Sequence, residues 1–533
     1  MKKIMIAMVS LMASISMSAG NGISENELAV RNLKRALEMT DSIFDRMYTT
    51  ASQRLSFYYN METEKASDVV SVWEYTSALE ALNSVLEGLA SVEESEPELY
   101  EEYYKKNVNR LKSVISGLDW YKGTYQLVSY TGRNTWSPYG VHRGSNRGSA
   151  NVQGIENVYD DQMWIIRELI RAYRITGTLS YLTRAEELTR YVLDGWDCVR
   201  DSDGNEYGGI TWGPGYTSKH ACSNAPIISP LVWLYEIYTT VRADGNQSYK
   251  EFDDEGHIIT VTKKKSEYYL DFAKKIYEWQ RRVLRNSSNG VYYDGIWSKT
   301  GDITTYEVDG VTCRQHVDSN SSPQGTYHTY NTGTMLSGAA DLYRATGDEY
   351  YLDELKNTSL RAYSFFTVTK RLDGSIYRSL LVEENRSTNP SKNGNPWFNQ
   401  VLFRGFVAAA PYHNTVSSYL SSFQTALDYA YDNYLWHGFL PVDLLNGWGS
   451  NDTERCNVQY LMSRVAELGI LVKYYGDLTG IQNVTAEKKN NGNSLTVYTV
   501  DGRKVRDHAN AQEPLQGLGR GLYVVGGKKV AVQ

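Results

Sequence analysis

Apolar and aromatic residues recur three and four positions apart from about residue 25 to about residue 475. This spacing is typical of α-helices that bury one face. It is clearest in LEALNSVLEGL (79–89) and LIRAYRI (169–175). The pattern predicts about twelve helices, which span residues 25–47, 67–90, 97–117, 156–176, 179–196, 223–240, 264–284, 328–346, 349–366, 401–411, 416–434 and 456–475.

Two stretches, 163–196 and 335–366, share one order of elements: a helix, Tyr-Arg-x-Thr-Gly, a short turn, Tyr-Leu and a second helix. Gly177 and Gly347 fit helix ends, because glycine readily adopts the left-handed conformation there. LGILVKYYGDLTG (468–480) is a partial third copy. Repeated helical hairpins predict an all-α (α/α)6 toroid, with six inner helices inside six outer ones; a linear solenoid is the alternative.

The segments between the hairpins are long and rich in Gly, Asn, Trp and Tyr. They cover residues 121–155, 201–222, 289–327 and 371–400. Loops of this length in a compact domain are usually functional or disordered, and their aromatic content argues against disorder. We therefore expect them to form one rim of the toroid, around a cleft.

The pattern changes near Ile481. NSLTVYTVDGRKV (493–505) and GLYVVGGKKVAVQ (521–533) alternate as strands do, with Asp501-Gly502 and Gly526-Gly527 as hairpin turns. Residues 481–533 are predicted to form a small C-terminal β-sandwich-like module. Residues 21–478 then form the helical domain.

The N-terminus, MKKIMIAMVSLMASISMSAG, has a basic start, an apolar run and small residues. Residues 1–20 are predicted to be a secretory signal peptide, too short for a stable membrane span and lacking a cysteine for a lipid anchor. No other segment is apolar enough to cross a bilayer. We expect a secreted or cell-surface protein, with the periplasm as the alternative location.

The net charge, the aromatic residues and the cysteines each give a further expectation. The net charge of -7 does not suggest nucleic-acid binding, which needs a concentrated basic surface. The chain has 43 Tyr and 12 Trp, residues that pack helices and also stack on sugar rings. Export permits disulfides, but in a chain this large we favour buried free thiols at the four cysteines, Cys198, Cys222, Cys313 and Cys456.

Two adjacent carboxyl groups stand at the start of a predicted helix, in NVYDDQMW (157–164). Acidic residues are favoured in a first helical turn on structural grounds alone, which explains Asp160 and Asp161 without any chemistry. A glycosidase, however, also needs two carboxyl groups, about 5–5.5 Å apart when it retains the anomeric configuration and about 6.5–9.5 Å apart when it inverts it. Adjacent α-carbons are about 3.8 Å apart, so adjacency favours retention.

Four motifs in order resemble glycoside hydrolase family 76. They are YDDQMW (159–164), GGITW (208–212) followed by SNAPIISPLVWLY (223–235), YNTGTMLSGAADLYRATGDEYYL (330–352) and FRGFVAA (403–409), and the resemblance covers most of residues 60–475. It implies an (α/α)6 toroid and a retaining endo-α-1,6-mannanase. By this resemblance Asp160 is the nucleophile and Asp161 the general acid/base. No metal or organic cofactor is implied.

VYTVDGRKV and GLYVVGGKKVAV in the C-terminal module are similar to the sorting domains of Bacteroidetes type IX secretion cargo. This resemblance implies export through that machinery.

Several other residues are candidates for substrate binding, although helix capping or core packing also explains them. The aromatic candidates in loops can stack on sugars, and the polar candidates lie at or just before helix starts. They are Trp136, Tyr139, Trp212, Asn224, Asp318, Tyr330, Asn331 and Trp397.

We therefore predict a monomeric exported hydrolase that cleaves internal α-1,6 bonds of α-mannan. Three alternatives stay open: another toroidal carbohydrate enzyme such as a polysaccharide lyase or unsaturated uronyl hydrolase, a non-catalytic surface glycan-binding protein, and an inactive member of the fold. The acidic pair argues against the first, because those enzymes must manage a substrate carboxylate.

Overall fold

The computed structural model describes residues 23–320, 322–382, 392–449, 451–487, 494–499, 504–510, 515, 521–525 and 528–532. The predicted signal peptide and the two predicted hairpin turns of the C-terminal module lie outside these residues. Within them the chain forms twelve α-helices: α1 (Glu25–Met47), α2 (Val72–Ser91), α3 (Pro97–Gly117), α4 (Tyr159–Thr176), α5 (Leu179–Leu193), α6 (Ile228–Thr240), α7 (Lys265–Leu284), α8 (Thr329–Thr346), α9 (Glu349–Phe366), α10 (Pro396–Ala409), α11 (Thr415–Tyr434) and α12 (Val458–Glu487).

The even-numbered helices form a closed inner ring. Each packs on the next, from α2 through α4, α6, α8 and α10 to α12, and α12 packs on α2. The odd-numbered helices pack outside them, each against an inner neighbour. The contact of α12 with α2 closes the ring, so the described helices form a toroid rather than a linear solenoid.

Burial follows this two-layer order. The inner helix α8 buries every residue from Thr329 to Leu342. The outer helix α3 buries only one stripe, which includes Asn107, Leu111 and Val114, at the spacing of one helical face. The outer helices therefore expose one face to solvent, whereas the inner helix α8 is enclosed on all sides over most of its length.

All inner helices run in one direction, because short turns join α2 to α3, α4 to α5 and α8 to α9 as antiparallel pairs. Their N-termini therefore meet at one end of the toroid, together with the long segments that precede them. We call these segments the rim. Gly177 and Gly347 have φ of +68° and +69° and end α4 and α8, as predicted.

Short strands, most of them paired as hairpins, account for much of the rim. In chain order they are β1 (Tyr48–Thr49), β2 (Arg54–Leu55), β3 (Tyr58–Asn60), β4 (Lys65–Ser67), β5 (Tyr125–Ser129), β6 (Gly132–Trp136), β7 (Lys219–His220), β8 (Asn246–Phe252), β9 (Ile258–Lys264), β10 (Gly295–Ile296), β11 (Thr305–Val308), β12 (Val311–Arg314), β13 (Tyr327–His328), β14 (Thr367–Leu372), β15 (Ser375–Leu380), β16 (Lys392–Asn393) and β17 (Cys456–Asn457). The β8–β9 hairpin is the exception in position, because it joins α6 to α7 at the opposite end.

Four more strands follow α12: β18 (Ser494–Thr499), β19 (Lys504–Asn510), β20 (Gly521–Val525) and β21 (Lys528–Val532). They pair antiparallel in one sheet of order β19-β18-β20-β21 among the described residues. The strands agree with the predicted β character of the module. A second layer, which a sandwich requires, is not among the described residues, and α12 itself runs past position 481 to Glu487.

Two predicted helix starts are corrected by capping. α2 begins at Val72 rather than near residue 67, because Ser71 and Glu74 form a capping box after strand β4. α10 begins at Pro396 rather than 401, because the Asn395 side chain accepts a hydrogen bond from the backbone N–H of Phe398.

None of the described helices is long and apolar enough to cross a bilayer. The four cysteines are free and buried, as predicted.

Candidate active site

Asp160 and Asp161 lie in the first turn of α4, at the rim end of the inner ring. Backbone contacts fix this turn from two sides. The N–H of Tyr159 donates to the Trp212 carbonyl at 2.9 Å, and the Gln162 side-chain amide bonds both the N–H and the carbonyl of Tyr139 at 2.9 and 2.7 Å. The position of the two carboxyl groups is therefore set by both neighbouring rim segments.

The two carboxyl groups have different environments. Asp160 is half-buried, and burial raises its pKa to about 6 against the opposing effects of the Cys222 thiol, first-turn N–H groups and His220. Asp161 is only 7% exposed, and burial together with the charges of Asp160 and Glu74 raises its pKa well above the ordinary value. Asp161 therefore holds its proton to higher pH than Asp160.

Aromatic side chains form the floor beside the aspartates. Trp164, Tyr330 and Trp397 are buried in one cluster with Cys222, and Trp73, Trp212 and Phe398 pack against it. The indole of Trp397 meets those of Trp164 and Trp73 edge to face, with ring centroids 4.7 and 5.4 Å apart. The cluster draws on the N-terminal turns of α2, α4, α8 and α10, so the ring closure brings it together.

A second group of rings continues from the floor along the 208–222 segment. Trp212 lies 4.6 Å from Tyr216 and 4.8 Å from His220, and His220 lies 5.1 Å from Trp297 (ring centroids). The Trp212 indole nitrogen and one oxygen of Asp160 are buried without a hydrogen-bond partner among the described residues. Buried polar atoms are normally satisfied, so both suit a bound polar ligand.

The backbone conformation of the GGITW stretch (208–212) requires its two glycines. Gly208 and Gly209 have φ of +71° and +78°, and a Cβ at either would come within 2.8 Å of the Trp279 ring. Asn224, which is fully buried, bonds both the N–H and the carbonyl of Ile210 at 2.7 and 2.9 Å. These contacts hold Trp212 at the cleft.

A third carboxyl group, Asp294, faces the same space. The pairing of β10 with β7 places it beside His220, at 3.6 Å from Nδ1 of that ring and 3.9 Å from Nε2 of His328. The charges of Asp160 and Asp294 both act on the Cys222 thiol and on Tyr330. Sequence reasoning missed Asp294; its one local signal is an aspartate before glycine in YYDGI (292–296).

The structure brings three of the eight predicted binding residues to the aspartates: Trp212, Tyr330 and Trp397. The others have partners elsewhere. Trp136 donates its indole N–H to Asp194 at 2.8 Å, Tyr139 is buried with its hydroxyl on Arg184, Asn224 holds Ile210, the Asn331 side chain donates to the Tyr293 carbonyl at 3.2 Å, and Asp318 pairs with Lys299 at 2.9 Å on the outer rim.

A family model described as glycosyl hydrolase family 76 matches residues 117–253 and 259–434, more than half of the chain. This chain belongs to glycosyl hydrolase family 76. The match includes both aspartates and leaves out residues 254–258.

Curated relatives are fungal. The chain is 26% identical over 208 residues to a mannan endo-1,6-α-mannosidase of Saccharomyces cerevisiae, covering 39% of this chain and 36% of that protein. It is 27% identical over 172 residues to the Candida glabrata enzyme of the same name, covering 32% and 28%. The chain thus aligns with about a third of the length of these relatives.

Solved structures share the fold of this family 76 chain. A family 76 glycoside hydrolase from a bovine Bacteroides thetaiotaomicron strain has a TM-score of 0.59 at 20% identity, covering 83% of this chain and 78% of that one. A mannosidase of the same family and species has a TM-score of 0.57 at 20% identity, covering 86% and 100%. An α-1,6-mannanase variant of Salegentibacter sp. has a TM-score of 0.52 at 19% identity, covering 83% and 99%.

Proposed function

We propose that this chain is a retaining endo-α-1,6-mannanase that acts on α-mannan. The observation that carries the proposal is the adjacent pair of carboxyl groups at the start of α4, which differ in burial and in pKa. A retaining glycosidase needs one ionised carboxylate and one protonated carboxyl group at the same bond.

The environments assign the two roles. Asp160 is the more accessible group and ionises first, and the N-terminus of α4 favours its negative charge. It attacks the anomeric carbon and forms the glycosyl-enzyme. Asp161 stays protonated and donates its proton to the departing glycosidic oxygen. It then removes a proton from the water that hydrolyses the glycosyl-enzyme, so the two displacements restore the original anomeric configuration.

Relatives support the bond type. Both fungal relatives are named mannan endo-1,6-α-mannosidases. In the Salegentibacter α-1,6-mannanase, a variant with two consecutive aspartates replaced by asparagine is inactive and was obtained in complex with α-1,6-mannotriose. In this chain the consecutive aspartates at the start of an inner helix are Asp160 and Asp161.

The test is hydrolysis of linear α-1,6-mannan by the wild-type protein and by the Asp160→Asn and Asp161→Asn variants. We expect internal cleavage by the wild type and a loss of at least a thousandfold in each variant. Proton NMR of the first product should give the α-anomer. Wild-type activity in either variant, or a β-anomer first, would refute the mechanism. Binding of mannan without turnover would favour a glycan-binding protein, and turnover of uronic-acid polymers a lyase or uronyl hydrolase.

We also propose that the chain is exported as a monomer to the cell surface or medium, through type IX secretion. The residues that motivate this, 1–20 and 481–533, have the composition of a signal peptide and of a sorting module. N-terminal sequencing of the protein from culture medium tests it: an intact Met1 on extracellular protein would argue against the signal peptide.

A further inference from the structure

The β8–β9 hairpin starts at the end of the toroid opposite the active site and reaches the rim. It joins α6 to α7, and each strand has seven residues, so it spans about 23 Å at 3.3 Å per residue. The neighbouring α6 has thirteen residues and is about 20 Å long. Tyr249 packs on Tyr268 and Phe272 of α7, and Phe252 is buried at 4% exposure. The hairpin is thus anchored along the outer wall.

The tip of this hairpin binds two rim segments. Arg200, in the segment after α5, donates to the Phe252 carbonyl at 3.0 Å and pairs with Asp254 at 3.3 Å. Asp309, at the turn of β11–β12, accepts from the N–H of Ile258 at 2.9 Å and lies 2.9 Å from the His257 ring nitrogen. The family 76 match omits 254–258, the residues that make much of this tip.

The β11–β12 hairpin in turn holds the segment next to the catalytic aspartates. Arg314, at the end of β12, is 4% exposed. Its guanidinium donates to the Pro214 carbonyl at 3.1 Å and also to the Tyr216 carbonyl. Thr217 adds a bond of 2.6 Å to the Thr300 carbonyl. Residues 212–216, which we call the aromatic wall, carry Trp212 and Tyr216.

We infer that Arg314 is a positioning residue for the aromatic wall, and that the β8–β9 hairpin braces it through Asp309. This inference rests on the proposed function for its substrate: the wall stacks on mannosyl units of the α-1,6 chain beside the scissile bond. The planar guanidinium donates to two backbone carbonyls at once and so holds both positions, whereas the ammonium group of a lysine lacks this fixed two-donor geometry. A wall that is already ordered loses less conformational entropy when a sugar chain binds, so the bracing strengthens binding without adding a contact to the substrate.

Three variants test the inference. Asp309→Gly removes both bonds that Asp309 makes to the hairpin tip, and glycine suits the φ of +53° at this position, so the β11–β12 turn is kept. Arg314→Lys keeps the charge and loses the two-pronged contact. The matched control is Asp271→Ala, which breaks the 2.7 Å pair with Lys263 at the base of the same hairpin and leaves the tip intact.

Two readouts separate positioning from general stability. Hydrogen exchange of the amides in 213–217 should quicken in Asp309→Gly and Arg314→Lys and not in the control. The KM for long α-1,6-mannan should rise roughly threefold to tenfold in both variants, with kcat nearly unchanged. The shortest oligosaccharide that the enzyme cleaves should show a similar rise, because it also occupies the positions beside the scissile bond.

Unchanged exchange in 213–217, or a KM no higher than that of the control variant, would overturn the inference. The exchange measurement needs no substrate. If the wild type fails to cleave α-1,6-mannan, the proposed function fails, and the exchange result still decides whether the hairpin and Arg314 order the wall.

Discussion

Replacing Arg404 with methionine should destabilise the protein strongly, because this arginine neutralises carboxylates inside the toroid. Arg404 of α10 contacts Glu80 of α2 and lies 3.9 Å from Glu168 of α4. The three side chains are 6%, 5% and 2% exposed. Three inner helices therefore meet at one guanidinium, below the aromatic floor of the candidate active site.

The size of the destabilisation depends on the partners that each carboxylate retains when Arg404 is replaced. Glu168 still has Arg171 at 2.9 Å, whereas the hydrogen bond left to the Glu80 carboxylate is that from the Gln400 amide at 2.8 Å. Removing one partner of a buried ion pair costs about 3–5 kcal/mol, because the other charge stays buried and uncompensated. At about 1.4 kcal/mol per tenfold, this lowers the folding equilibrium constant by roughly 10² to 10⁴.

Denaturant unfolding of three variants measures it. Arg404→Met should unfold at a much lower denaturant concentration than the wild type. Adding Glu80→Gln to that variant should recover a large part of the loss, because the uncompensated charge is gone. Lys263→Met, which breaks the exposed pair with Asp271, should cost under about 1 kcal/mol. An Arg404→Met variant as stable as wild type, or a double variant no better than the single one, would refute the reasoning.

Three further predictions concern single positions. Glu74→Gln keeps the capping geometry of α2 but removes a charge that raises the pKa of Asp161, so we expect that pKa to fall. The alkaline limb of kcat/KM against pH should then move to lower pH. A limb that does not move would show that Glu74 does not act on Asp161. The pKa of Asp161 is higher in the folded than in the unfolded state, so the stability of the wild type falls as pH rises between these two pKa values. Thermal unfolding of Asp161→Asn should lack this fall in stability. Identical pH profiles for the variant and the wild type would contradict the prediction. In urea unfolding, Gly177→Ala should lower the stability by about 1 kcal/mol, because φ is +68° at this helix end. Gly245→Ala should be nearly neutral, because Gly245 has open space around it and no positive φ. Equal losses of stability in the two variants would count against the helix-end explanation.

The sequence predicted the helices because apolar residues recur three and four positions apart in both layers, and it predicted the ring because the helical hairpins repeat. It did not predict the β8–β9 hairpin. NQSYKEF (246–252) has an exposed and half-buried alternation without an apolar face, and its strand pairs chiefly with β9 and packs on α7. Such strands depend on tertiary contacts, which a local pattern does not contain.

The site was predictable only in part, for the same reason. The adjacent aspartates can be seen in the sequence, but Glu74 and Asp294 join them through ring closure and the β7–β10 pairing. The loop position of Trp136 and Tyr139 suggested exposed sugar platforms. In this toroid the rim is thick enough to bury aromatic side chains, and Tyr139 is 5% exposed and supports the first turn of α4 through its backbone.

The helix start at α4 also bears on why the two aspartates are there. Acidic residues in a first turn stabilise a helix when they are ionised, and the helix dipole then lowers their pKa. Here burial raises the pKa of both Asp160 and Asp161, so the pair costs stability rather than supplying it. In this helix turn two carboxyl groups are neighbours, Glu74 acts on the second, and the pKa of Asp161 is raised well above its ordinary value. Helix capping alone does not account for that arrangement, whereas a double displacement requires it.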